Sequence, residues 1–111
     1  MPFLCCPKPC PCAGGTLPGP PRLAAELRHG GAGRGLRVFT TAPGLQLYSG
    51  NFLGGVPGKG GLCYGPRQSV CLESQTYPNS VNEPRFPSPW VLPGEVYRHV
   101  MRFEFFTFEQ Q

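Results

Sequence analysis

The sequence contains no aspartate, so its six acids are all glutamates. It has a single tryptophan, and no apolar run is long enough to cross a bilayer as a helix. The apolar start, Met1 to Cys6, is too short for a signal-peptide core, and no small-residue cleavage site follows it. With no export signal, the expected setting is cytoplasmic and reducing, and the six cysteines are expected to be thiols. Basic residues form no tract, and the formal charge is only +4. This argues against a nucleic-acid partner and against a membrane surface.

Glycine and proline are abundant instead. The 16 glycines and 15 prolines make up more than a quarter of the 111 residues, near the level typical of disorder. The aromatic content of 12% opposes that reading for the second half. The expectation is a split chain: a structureless leader over residues 1–21, then one small β-rich domain over 22–111. A core of this size is marginal even when well filled.

In the leader, CCPKPCPC places Cys5, Cys6, Cys10 and Cys12 within eight residues. Closely spaced thiolates suit zinc or copper(I), but this spacing matches no standard knuckle and no histidine precedes His29. No metal site is assigned. GTLPGPP then reads as a linker. RLAAELRH, Arg22 to His29, is built of good helix formers, yet glycines follow at once. It reads either as a helix or as the first arm of a hairpin. GGAGRG has neither the order of a phosphate loop nor a helix after it.

LRVFTT, Leu36 to Thr41, is a β-branched and aromatic strand. Pro43-Gly44 marks a turn. LQLYSGNF, Leu45 to Phe52, is a strand with polar groups on one side. GGVPGKGG is an exposed loop with Lys59 at its tip. Val96 to Phe108 shows period two: Tyr97, His99, Met101, Phe103 and Phe105 on one face, Arg98, Arg102 and Glu104 on the other. The expected fold class is all-β and antiparallel, packed on the apolar side and wet on the charged side.

The most informative stretch is VCLESQTYPNSVNEPRFP, Val70 to Pro87. Pro78, Pro84 and Pro87 fix φ and withhold backbone donors, so the stretch reads as a strand end leading into a rigid polar loop. Such loops on a β scaffold often carry function. Glu73 is the sole acid between Glu26 and Glu83. At the end of an apolar segment, partial burial would raise its pKa toward that of a useful base. Gln46 can donate and accept hydrogen bonds at once. Asn82 and Arg85 either brace the loop or touch a bound ligand. Tyr77 and Trp90 either pack the loop or stack on a bound ligand.

Three blocks, TTAPGLQLYSGNF, VCLESQTYPNSVNEPRFP and LPGEVYRH, resemble in order and spacing the C-terminal part of the aldose 1-epimerases. The likeness reaches back loosely to Leu23. It implies a portion of a large antiparallel β-supersandwich that interconverts the α and β anomers of free hexoses such as galactose or glucose. It implies no metal and no organic cofactor, and a monomer for the longer chains of the family. A carboxylate takes the proton of the anomeric hydroxyl while a histidine protonates the ring oxygen; the ring opens, C1–C2 rotates and the ring recloses. By this resemblance Glu73 is the catalytic base, Gln46 a substrate-binding residue, and Arg22 to His29 a hairpin arm. The family's acid histidine, its second active-site histidine and its substrate-binding aspartate lie upstream of the matched part. His29 and His99 do not occupy those motifs. The expectation is therefore an enzyme-family chain that is inactive alone, with a non-catalytic sugar-binding piece as the alternative. A third reading, a cysteine-led metal-binding peptide, rests on the leader alone.

Overall fold

The computed structural model describes residues 3–5 and 19–109. Eight strands account for nearly all of its regular structure: β1 Phe3–Cys5, β2 Arg22–His29, β3 Arg34–Thr40, β4 Gly44–Tyr48, β5 Val56–Pro57, β6 Cys63–Tyr64, β7 Cys71–Gln75 and β8 Met101–Thr107. Every pairing is antiparallel, and the strands form sheets in the orders β1-β4-β7, β2-β3-β8 and β5-β6. The all-β expectation holds. Of the leader, Phe3–Cys5 lies along β4; the soft-metal reading of CCPKPCPC concerns residues otherwise outside the described ones.

RLAAELRH is a strand. Despite its helix formers it pairs with β3 from Arg22↔Thr40 to His29↔Arg34, with one irregularity between Leu23 and Ala25. A full ladder of backbone hydrogen bonds outweighs a propensity worth only tenths of a kcal/mol per residue (about 0.7 at most for such residues). The hairpin closes through a 3-10 turn at Gly30–Ala32, where Gly33 sits at φ 58° and its N–H bonds back to the Gly30 carbonyl at 3.2 Å.

Two expected strands are shorter in the structure. LQLYSGNF pairs only over Gly44–Tyr48, because the chain turns at Gly50, whose φ is +68° and whose carbonyl accepts from Leu53 N at 3.2 Å. Phe52 consequently projects outward and is 86% exposed. Val96 to Phe108 forms a ladder only over Met101–Thr107, where β3 supplies a partner. Before it, backbone contact with the Thr40–Thr41 corner continues through Thr41 N to Val100 O at 3.1 Å. Lys59 is exposed, as expected, but its loop carries the small β5-β6 ribbon.

The buried apolar residues among those described are Val38, Ala42 and Leu45, joined by Thr40 and Thr41. Thr40 Oγ1 accepts from Ala42 N at 3.0 Å, and Val100 N donates to Thr41 Oγ1 at 3.1 Å. These bonds satisfy polar groups that would otherwise be costly to bury.

The amphipathic reading holds for β3, where buried Val38 and Thr40 stand opposite Phe103 and Met101, but the edge strand β8 covers its own apolar side chains less well. Phe105 is 80% exposed, and Phe103 and Met101 are also exposed. The charged side stays open to solvent, with the Arg28, Arg37 and Arg102 side chains 54%, 38% and 58% exposed, and these side chains pack over its rings. Arg28 lies 5.5 Å from the Phe106 and Phe108 ring centroids, Arg37 lies 4.5 Å from Phe106, and Arg102 lies 4.4 Å from Phe39. Glu26 bridges Arg28 at 2.5 Å and Arg37 at 2.6 Å. Long guanidinium stems and cation–π contact let charged residues roof an aromatic row. Gly35 makes room for this: a Cβ there would fall 2.2 Å from the Phe106 ring.

Candidate functional site

The register of β4 on β7 sets Gln46 directly opposite Glu73. Residues so paired point to one face, with Cβ atoms about 5 Å apart. By alternation Gly44, Gln46 and Tyr48 share that face with Cys71, Glu73 and Gln75. Leu45, Leu47, Leu72 and Ser74 take the other, on which Leu45 is buried.

Glu73 is exposed, not partly buried as the sequence suggested. The reason is the same alternation. Its apolar neighbour Leu72 turns to the opposite face, so proximity in sequence confers no burial. Glu73 forms no ion pair among the described residues. Gln46 is half-buried, and its Nε2 donates to the Leu47 carbonyl at 3.2 Å.

Tyr77 stands at one end of this face. A Cβ on Gly44 would lie 3.2 Å from the Tyr77 ring, so the glycine admits the ring beside β4. Tyr77 also packs on Phe86, with centroids 4.9 Å apart and planes tilted by 56°. Tyr48 closes the opposite end, its hydroxyl accepting from Phe52 N at 3.0 Å. An open groove of about 440 Å³ adjoins the face, lined by residues that include Gln75, Tyr77, Asn79, Ser80 and Pro89. Tyr48 and Gln75 were not singled out in the sequence. The signal available was simple: each lies two residues beyond Gln46 or Glu73.

The other named residues turn into the loop. Asn82 Nδ2 donates to Asn79 Oδ1 at 2.5 Å, and Asn82 N to Asn79 O at 3.0 Å. Asn79 adopts φ 61°, a left-handed conformation that asparagine tolerates. Arg85 grips Glu83 with two bonds, Nε to Oε1 at 2.8 Å and an η-nitrogen to Oε2 at 2.7 Å. The Arg85 side chain holds the Glu83 carboxyl below its ordinary value, and Glu83 raises the Arg85 guanidinium in turn. Trp90 is exposed.

Neither histidine shares the Glu73 face. His99 Nε2 lies 2.9 Å from Ser74 Oγ, and Ser74 points away from Glu73. The other His99 nitrogen, Nδ1, lies 3.3 Å from the Tyr97 hydroxyl. His29 ends β2, in the other sheet, and is exposed. No group of three or more metal-ligating side chains occurs among the described residues. No helix among them is long and apolar enough to cross a membrane.

The fold and this face together define an antiparallel β protein that presents a carboxylate beside an amide, flanked by aromatics. The family model for aldose 1-epimerase matches residues 13–104. The chain therefore belongs to the aldose 1-epimerase family. It is 47% identical over 85 residues to galactose mutarotase of Mus musculus, covering 76% of this chain and 25% of the mouse protein. It is 48% identical over 84 residues to the Homo sapiens galactose mutarotase, covering 75% of this chain and 25% of that protein. With aldose 1-epimerase of Escherichia coli K12 it shares 47% identity over 72 residues, 63% of this chain and 21% of that protein. The chain thus spans about a quarter of the length of these relatives.

Proposed function

We propose that this chain carries the base-bearing part of an aldose 1-epimerase site that acts on free hexoses such as galactose or glucose. Glu73 takes the proton from the anomeric hydroxyl, and the ring C1–O5 bond breaks as a proton reaches the ring oxygen. Rotation about C1–C2 and reclosure yield the other anomer. Gln46 holds sugar hydroxyls with its paired donor and acceptor. Tyr77 offers an aromatic wall. This acid–base route needs neither metal nor organic cofactor. The observation that supports this reading is the Gln46↔Glu73 register, a carboxylate and an amide side by side on an accessible face.

General acid–base catalysis needs both proton partners in place, and each contributes about 10²–10⁴-fold. His99 is engaged on the opposite face with Ser74, and His29 lies in the other sheet. The chain by itself is accordingly expected to have little or no mutarotase activity. Polarimetry of freshly dissolved α-D-galactose tests this. A rate well above buffer that disappears in Glu73→Gln would place the whole acid–base pair within these residues and overturn the incomplete-site reading.

The exposed Gln46–Glu73 face also favours a second reading, a non-catalytic sugar-binding piece. Isothermal titration with galactose separates the two. Binding that survives Glu73→Gln, without any rate, supports the second reading.

A further inference from the structure

We propose that two copies of this chain associate through β8, edge to edge and antiparallel, about a two-fold axis at Phe103. β8 ends the sheet β2-β3-β8, so one side of its backbone has no strand partner among the described residues. An unpaired edge of this kind is a template for another strand. The sequence MRFEFFT offers no proline to block it and no lysine to guard it. Its side chains then select the partner.

A two-fold pairing centred on Phe103 sets Arg102 of each copy opposite Glu104 of the other. It sets Phe103 opposite its own counterpart and Met101 opposite Phe105. The charges are complementary twice, as an isologous interface requires. Directly opposed charges of opposite sign stabilise a strand pair, whereas like charges destabilise it. Met101, Phe103 and Phe105, 38%, 43% and 80% exposed in the single chain, line up as one continuous row across both copies. Arg102 and Glu104 already lie 3.1 Å apart within a copy, so both charges sit at the strand with no buried partner to forfeit. A register shifted by one residue would oppose charges to rings and split the aromatic row between two faces.

Sedimentation velocity over a concentration series of the whole chain tests the pairing. The expected result is a monomer–dimer equilibrium that stops at two copies. Arg102→Glu and Glu104→Arg each create like-charge oppositions at both positions, and each should weaken the dimer at least tenfold. Mixing these two variants restores Arg–Glu opposition at every position and should recover a heterodimer. The chain carrying both substitutions should form a homodimer again. Far-UV circular dichroism reports whether each variant keeps its strands. A monomer at every concentration overturns the proposal. So does open-ended growth, a dimer indifferent to both charge reversals, or a mixture that stays monomeric while its components remain folded. If either single variant loses its strands, the double-substituted chain decides alone: a dimer supports the pairing and a folded monomer overturns it.

Discussion

Gln46 and Glu73 are cross-strand partners, one on β4 and one on β7, so the amide and the carboxylate project from the same sheet face. Residues far apart in sequence thereby become immediate neighbours. If the amide holds sugar hydroxyls there, Gln46→Ala removes those bonds without disturbing the core. Each hydrogen bond contributes about 0.5–1.5 kcal/mol. Galactose affinity should fall roughly tenfold, which isothermal titration reads directly. An unchanged affinity would move the sugar away from this face.

Ser74 is the control for face. It is adjacent to Glu73 in sequence but points to the other side, where its hydroxyl meets His99 at 2.9 Å and Met101 at 2.9 Å. Ser74→Ala should cost stability, about 1 kcal/mol, and leave sugar affinity untouched. Urea unfolding combined with titration measures both. A loss of affinity without loss of stability would contradict the strand alternation described here.

The described core is small, and Leu45 is one of its three buried apolar residues. Leu45→Ala should cost about 2–5 kcal/mol, from lost transfer energy and the cavity left behind. Domains are commonly stable by only about 5–15 kcal/mol, and this one exposes many large apolar side chains. The variant should be largely unfolded at 25 °C, with strand signal reduced in far-UV circular dichroism. The parent chain is itself expected to be poorly stable. A sharp, cooperative melt of the purified monomer would contradict that expectation.

Glu26 gives a pH dependence with a definite sign. Hydrogen bonds from Arg37 first and Arg28 second hold its carboxyl below the ordinary value of 4.5. A group whose folded pKa is depressed contributes fully above its unfolded value and loses that contribution as pH falls through the folded value. The effect therefore lies below about pH 4.5. The pair is at the surface and salt-screened, so the effect is small. Glu26→Gln should flatten the acid limb of urea midpoint against pH and leave the neutral plateau nearly unchanged. A variant whose acid limb keeps the parent slope would show that this carboxylate is not involved.

The sequence was sufficient for the class of fold and for the residues of interest. The β-branched and aromatic LRVFTT, the period-two pattern of Val96 to Phe108 and the turn at Pro43-Gly44 specify antiparallel strands whatever they pack against. Glu73 and Gln46 stood out through the motifs around them. RLAAELRH was ambiguous, because helix propensity and the ladder with β3 point in opposite directions, and only pairing resolves that conflict. Strand patterning identifies two faces but does not say which is covered. Tertiary structure decided that point: buried Val38 shares the face of Phe103, whereas Arg28, Arg37 and Arg102 lie over Phe106 and Phe39 on the face that stays open to solvent. It likewise decided that Glu73 is exposed, that His99 belongs to Ser74, and that Gln46 meets Glu73. Each of these depends on register between segments distant in the chain, and register is a property of paired strands rather than of either strand alone.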